Sequence, residues 1–126
     1  MKSYTDIEQS RKLAKILPIK SADMWYQYTG ISIKDGSKKP IYFPMVIRDC
    51  ESDEDIPCWS LVALLNILPK NLNIGRPSLN SNYKEYYWIQ YYDEFMKPNN
   101  YKTECFNNPI DACVDMIEKL NELNLL

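Results

Sequence analysis

The chain has 126 residues, 45 % of them apolar and 25 % charged, with a formal charge of −2. That is the size and composition of one ordinary globular domain, long enough to bury a core without metal or disulfide staples. Lys and Arg (15) are outnumbered by Asp and Glu (17), and histidine is absent. Duplex nucleic acid is therefore a poor partner, triads built on a histidine base are excluded, and the commonest metal ligand is missing.

The N-terminus, Met1-Lys2-Ser3-Tyr4-Thr5-Asp6, turns polar at once, so no signal peptide is expected there. The longest apolar run, Leu61–Leu65, is far short of the roughly 20 residues a membrane span needs. The expectation is a soluble, cytoplasmic protein with no membrane partner. Thr5-Asp6-Ile7-Glu8 reads as a capping box in which the Thr5 hydroxyl and the Glu8 carboxylate serve each other's amides. A helix is expected from about Asp6 to Leu17, closed by Pro18. Ile7, Leu13, Ala14 and Leu17 form its apolar stripe.

Met24–Tyr28 is aromatic-rich and reads as a strand. Thr29-Gly30 is expected to break it, and Ile31–Lys34 alternates as a second strand. Asp35-Gly36 is a turn signal, with the loop expected to run on to Pro40. Ile41–Ile47 then returns, with Ile41, Phe43, Met45 and Ile47 pointing one way. Pro44 cannot donate to a ladder, which puts this strand at an edge or at a bulge.

Asp49, Glu51, Asp53 and Asp55 alternate in an acidic loop. Alternating carboxylates can hold Ca²⁺, but the sixth position of an EF-hand loop would be Glu54, not Gly, and the twelfth would be Ser60, not Glu. A solvated loop is the better reading. Ile56–Pro69 is apolar on nearly every side between its prolines. It is expected to form a core helix with Pro57 in its first turn.

Lys70–Asn82, with Gly75, Pro77 and several Asn and Ser, reads as a flexible loop. Tyr83–Phe95 is expected to be a strand, Pro98-Asn99-Asn100 a turn and Tyr101–Phe106 the return strand. The final helix has Asn108 as cap, Pro109 at its first position and Asp111 at the positive end of its dipole. Ile110, Cys113, Met116, Ile117, Leu120 and Leu123 follow at spacings of three and four. The resulting fold class is α+β: one domain over residues 1–126, with a mainly antiparallel sheet of about five strands, three helices, and the order α-β-β-β-α-β-β-α.

Two groups of residues are candidates for chemistry. Cys50, Cys58, Cys105 and Cys113 fall in two widely spaced pairs. The spacing does not match a structural zinc site, so no metal is expected. Cys58, at the expected start of a helix, is a weak candidate nucleophile, since helix amides and the dipole depress thiol pKa values there. The stronger candidate is an aromatic surface. Tyr86, Trp88, Gln90 and Tyr92 share one face of a strand, and Trp25, Tyr26 and Tyr28 lie on another strand. Tyr and Trp are enriched at interface hot spots, although cross-strand tyrosine pairs also stabilise half-exposed sheets without any partner. Stacking of single-stranded nucleic acid is a minor reading, because acidic residues offset the lysines beside the aromatics.

Four blocks carry a resemblance: Thr5–Pro18, Ser21–Met24, Ile56–Leu61 and Asn108–Ile117. They resemble a family of small uncharacterised bacterial proteins found in prophages and other mobile elements. The resemblance implies a bacterial or phage accessory protein and transfers no catalytic residue. Together, these readings lead to a non-enzymatic protein that binds an unidentified protein partner and carries no cofactor. The alternative is a small-molecule binder or enzyme with an aromatic pocket, in which a carboxylate or Cys58 is the reactive group. A structural component of a larger particle is a third class.

Overall fold

A computed structural model of the chain describes residues 2–46 and 53–126. Ile47, Asp49, Cys50 and Glu51, which entered the readings above, lie outside the described residues. The element order is α1 (Ile7–Ala14), β1 (Met24–Lys34), β2 (Ser37–Met45), β3 (Ile56–Cys58), α2 (Leu61–Ile67), β4 (Arg76–Ser81), β5 (Tyr87–Tyr92), β6 (Pro98–Lys102) and α3 (Pro109–Glu122). A short 3-10 turn, Ile19–Ser21, follows α1. The class is α+β with three helices, as expected. The single sheet of about five strands is replaced by two antiparallel three-stranded sheets, ordered β2-β1-β3 and β4-β5-β6. The chain packs as two compact units, one covering Tyr4–Ser60 and the other Leu61–Leu126 with Lys2 and Ser3.

In the Tyr4–Ser60 unit, α1 starts one residue later than its sequence signal. Asp6, not Thr5, is the N-cap: its carboxylate accepts from the Gln9 amide at 2.7 Å, and the Gln9 side chain accepts from the Asp6 amide at 3.1 Å. A capping box therefore forms, but on Asp6 and Gln9 instead of the expected Thr5 and Glu8. The reason is tertiary. Thr5 is buried and its hydroxyl is bonded to Ser10 at 2.8 Å and to the amide of Trp59 at 3.1 Å.

β1 runs unbroken through Thr29-Gly30. The pairing with β2 instead slips by one residue between Tyr28 and Gly30, a bulge that Gly30 accommodates at φ +142°. The turn is shorter than expected. Lys34 pairs with Ser37 across Asp35-Gly36, both at positive φ, the conformation of a two-residue type I′ hairpin. β2, carrying Pro40 and Pro44, is an edge strand. Ile56–Cys58 is a strand and not the start of a helix, so Pro57 pairs with Trp25. Tyr26, Ile56 and Cys58 form a buried apolar cluster, with Tyr4, Ile7, Met24 and Tyr42 packed against it.

In the second unit, α2 is only seven residues long. Ala63 and Leu64 are buried but Val62 is exposed, so the apolar-all-round segment is only partly enclosed. Part of Lys70–Asn82, read above as a loop, forms β4, in continuous register with β5 from Arg76↔Tyr92 to Ser81↔Tyr87. β4 is an edge strand, which tolerates its Pro77. The following turn lies at Asp93–Lys97 and not at Pro98–Asn100, because the Asp93 carboxylate accepts from the amides of Phe95 and Lys97 at 2.8 and 2.9 Å. β6 therefore begins at Pro98. α3 forms as its sequence dictates. The Asn108 side chain accepts from the Asp111 amide at 2.9 Å, and Ile110, Cys113, Met116, Ile117 and Leu120 are buried.

Candidate functional site

The thiols can be judged from their surroundings. Cys58 is fully buried on β3, where its sulfur donates to the Thr5 carbonyl at 3.5 Å and lies 3.6 Å from the Thr5 hydroxyl. Burial pushes its pKa up, and the neighbouring hydroxyls of Thr5 and Ser10 offset this only in part. It does not sit at a helix N-terminus, and a raised pKa is the opposite of what a nucleophile needs. Cys113, in the first turns of α3, is buried and pushed up to about 12. Cys105 is exposed and free. Among the described residues, no group of three or more Cys, Asp or Glu is placed to hold a metal ion. Asp55 is buried, and its carboxylate accepts from the Tyr28 amide at 2.9 Å.

The aromatic residues are divided between the two sheets. Trp25 and Tyr26 are buried on β1, and the Tyr26 hydroxyl donates to the Thr5 carbonyl at 2.6 Å. Tyr28 is half-buried, edge-on to Tyr42 across the β1–β2 pair with ring centroids 5.8 Å apart. On β5 the two faces differ less than a period-two alternation would give, because Ile89, Gln90 and Tyr91 are all buried. Ile89 and Tyr91 are fully buried, and the Tyr91 hydroxyl donates to the Pro69 carbonyl at 2.8 Å. On the other face Trp88 and Tyr92 are half-buried, and Tyr86, just before the strand, is exposed. Gln90 shares that face but is buried, its amide donating to the carbonyls of Tyr91, Asn99 and, at 3.3 Å, Tyr101.

The Tyr4–Ser60 unit also has an exposed apolar surface that aromatic composition did not reveal. Among the described residues, β3 pairs only with Met24–Tyr26, and β1 and β2 continue beyond it as a two-stranded ribbon. Register places Ile31 opposite Pro40 and Gly30 opposite Ile41. Ile31 and Ile33 therefore lie on one face, and Ile41, Phe43 and Met45 on the other. All five are exposed, Ile31 at 57 %, Ile33 at 72 % and Phe43 at 56 %. Sheets usually bury one face and wet the other. Here the ribbon presents apolar side chains on both. The signal was present in the alternation of Ile31–Ile33 and Ile41–Met45, but alternation alone does not say whether a face is covered.

No protein-family model, curated protein or solved structure matches this chain. Among the described residues, no helix is long and apolar enough to cross a membrane.

Proposed function

We propose that this is a non-enzymatic accessory protein of bacterial or phage origin that works in the cytoplasm by docking on another protein. The origin rests on the resemblance of the four sequence blocks. The docking reading rests on one observation, the β1–β2 ribbon with Ile31 and Ile33 exposed on one face and Ile41, Phe43 and Met45 exposed on the other. Burying one such side chain is worth about 1.5–3 kcal/mol, so the ribbon carries a large driving force for being enclosed.

The outer edge of β2 supports the same reading. Pro40 and Pro44 remove two donors from β2, and Lys38 and Lys39 charge it, which protects an edge from indiscriminate strand pairing. The faces carry no such protection. The partner therefore contacts the side chains of both faces and does not extend the sheet from β2. Tyr86, Trp88 and Tyr92 form a second, smaller candidate surface on the other sheet.

The test is parallel affinity capture with the wild type, an Ile31→Ser/Phe43→Ser variant and a Tyr86→Ser/Trp88→Ser/Tyr92→Ser variant. A partner held by the wild type and lost from the ribbon variant, with the melting temperature of that variant unchanged, is the expected result. Retention by the ribbon variant at wild-type level would overturn the assignment to the ribbon. Loss from the tyrosine variant alone would move the surface to β5.

A further inference from the structure

We propose that the cleft between the Asn71–Gly75 loop and the Asp93–Lys97 turn binds a small monocarboxylic acid with a large apolar body. Arg76 and Lys70 take the carboxylate, and Leu72, Tyr92, Phe95 and Met96 take the apolar part. The cleft is open to solvent on one side and has a volume of about 800 Å³, inside the range of small-molecule sites, and it lies wholly within the Leu61–Leu126 unit. This inference does not depend on the ribbon.

Both walls are rigid. In the loop, Asn71 and Gly75 exchange backbone hydrogen bonds, and the Asn71 side chain accepts from the amides of Asn73 and Ile74 at 2.9 and 3.0 Å. Ile74 is buried and its carbonyl accepts from the Asn99 side chain at 2.8 Å. In the turn, the Asp93 amide donates to the Lys97 carbonyl, and the Met96 amide donates to the Asp93 carbonyl. These two locked walls hold Leu72 at 91 %, Phe95 at 74 % and Met96 at 78 % exposure. Met96 has φ +61°, a left-handed conformation that is uncommon for a residue with a side chain. That conformation closes the Asp93–Lys97 hairpin turn and leaves Phe95 and Met96 facing solvent at its tip.

The charges select the ligand. Four charged residues line the cleft: Lys70, Arg76, Asp93 and Glu94. The Asp93 carboxylate is engaged by the two turn amides. Among the described residues, neither Lys70 nor Arg76 is held in an ion pair. A guanidinium and an ammonium without partners beside an apolar surface suit a carboxylate, which Arg binds with two parallel hydrogen bonds. Glu94 opposes a second negative charge, which disfavours dicarboxylates and phosphates.

Three probes with one tail and different heads test this: decanoate and decyltrimethylammonium below their micelle concentrations, and decanol below its solubility limit. Binding is read from amide shifts of the ¹⁵N-labelled full chain. Decanoate is expected to shift residues 71–76 and 92–97, with decanol weaker by about tenfold. Arg76→Gln and Lys70→Gln should each weaken decanoate and leave decanol unchanged. Phe95→Ser should weaken both. The proposal fails if decanol or decyltrimethylammonium binds as well as decanoate, if Arg76→Gln binds decanoate like the wild type, or if no probe shifts these amides up to about 1 mM.

Discussion

Thr5 and Trp59, 54 residues apart, hold each other by two hydrogen bonds. The Thr5 amide donates to the Trp59 carbonyl at 2.9 Å, and the Trp59 amide donates to the Thr5 hydroxyl at 3.1 Å. The Thr5 carbonyl in turn accepts from the Tyr26 hydroxyl and the Cys58 thiol. One residue thus ties the N-terminal segment to β1 and to the end of β3. It also explains why the cap of α1 passed to Asp6: the Thr5 hydroxyl is already committed.

Thr5→Val keeps the shape of the side chain but leaves the buried Trp59 amide without an acceptor. An orphaned buried donor costs about 1–3 kcal/mol. Urea unfolding of Thr5→Val should show a loss of that size, and Thr5→Ser, which restores the hydroxyl, should recover most of it. A Thr5→Val midpoint equal to the wild type would show that the hydroxyl is not needed there.

Gly75 has φ +87°, and a Cβ on it would run into the carbonyl of Tyr92. That contact is with backbone, so it cannot be relieved by a side-chain rotation. Gly75→Ala is expected to lower stability by about 1–3 kcal/mol, from strain at positive φ together with displacement of the loop. The measurement is thermal unfolding. Shifted amide resonances should be confined to residues 71–76 and to Tyr92 and its neighbours.

Cys113 gives a signed pH dependence. Its thiol ionises with an ordinary pKa of 9.0 once unfolded, but burial holds it at about 12 in the folded chain. Below pH 9 both states keep the proton and the group adds no pH dependence. Between pH 9 and 12 the unfolded state loses the proton while the folded state retains it, so stability falls as pH rises. The slope from this one group approaches about 1.4 kcal/mol per pH unit. Unfolding of the wild type and Cys113→Ala at pH 8 and pH 10.5 should give a smaller loss in the variant, whatever its stability at pH 8. Equal losses would show that the thiol is not protected.

The sequence by itself determined the features whose causes lie within a few residues. Asn108-Pro109 and the apolar spacing behind them specify α3, because a cap, a preset φ and a buried stripe are local properties. Asp35-Gly36 marked the hairpin turn, and Pro44 placed β2 at an edge. The α+β class followed from these pieces. Tertiary structure decided which strands pair. Arg76–Ser81, with a proline and four polar or charged side chains, has little strand propensity and becomes β4 only because β5 supplies its hydrogen-bond partners. Ile56–Cys58 is a strand for the same reason, alongside β1. Pairing also divided the expected single sheet in two, and with it the tyrosines and tryptophans that composition had grouped together. Exposure followed. Trp25 and Tyr26 are enclosed, while Ile31, Ile33 and Phe43 are not, because a side chain's hydrophobicity gives the gain on burial and only its neighbours in space supply the burial.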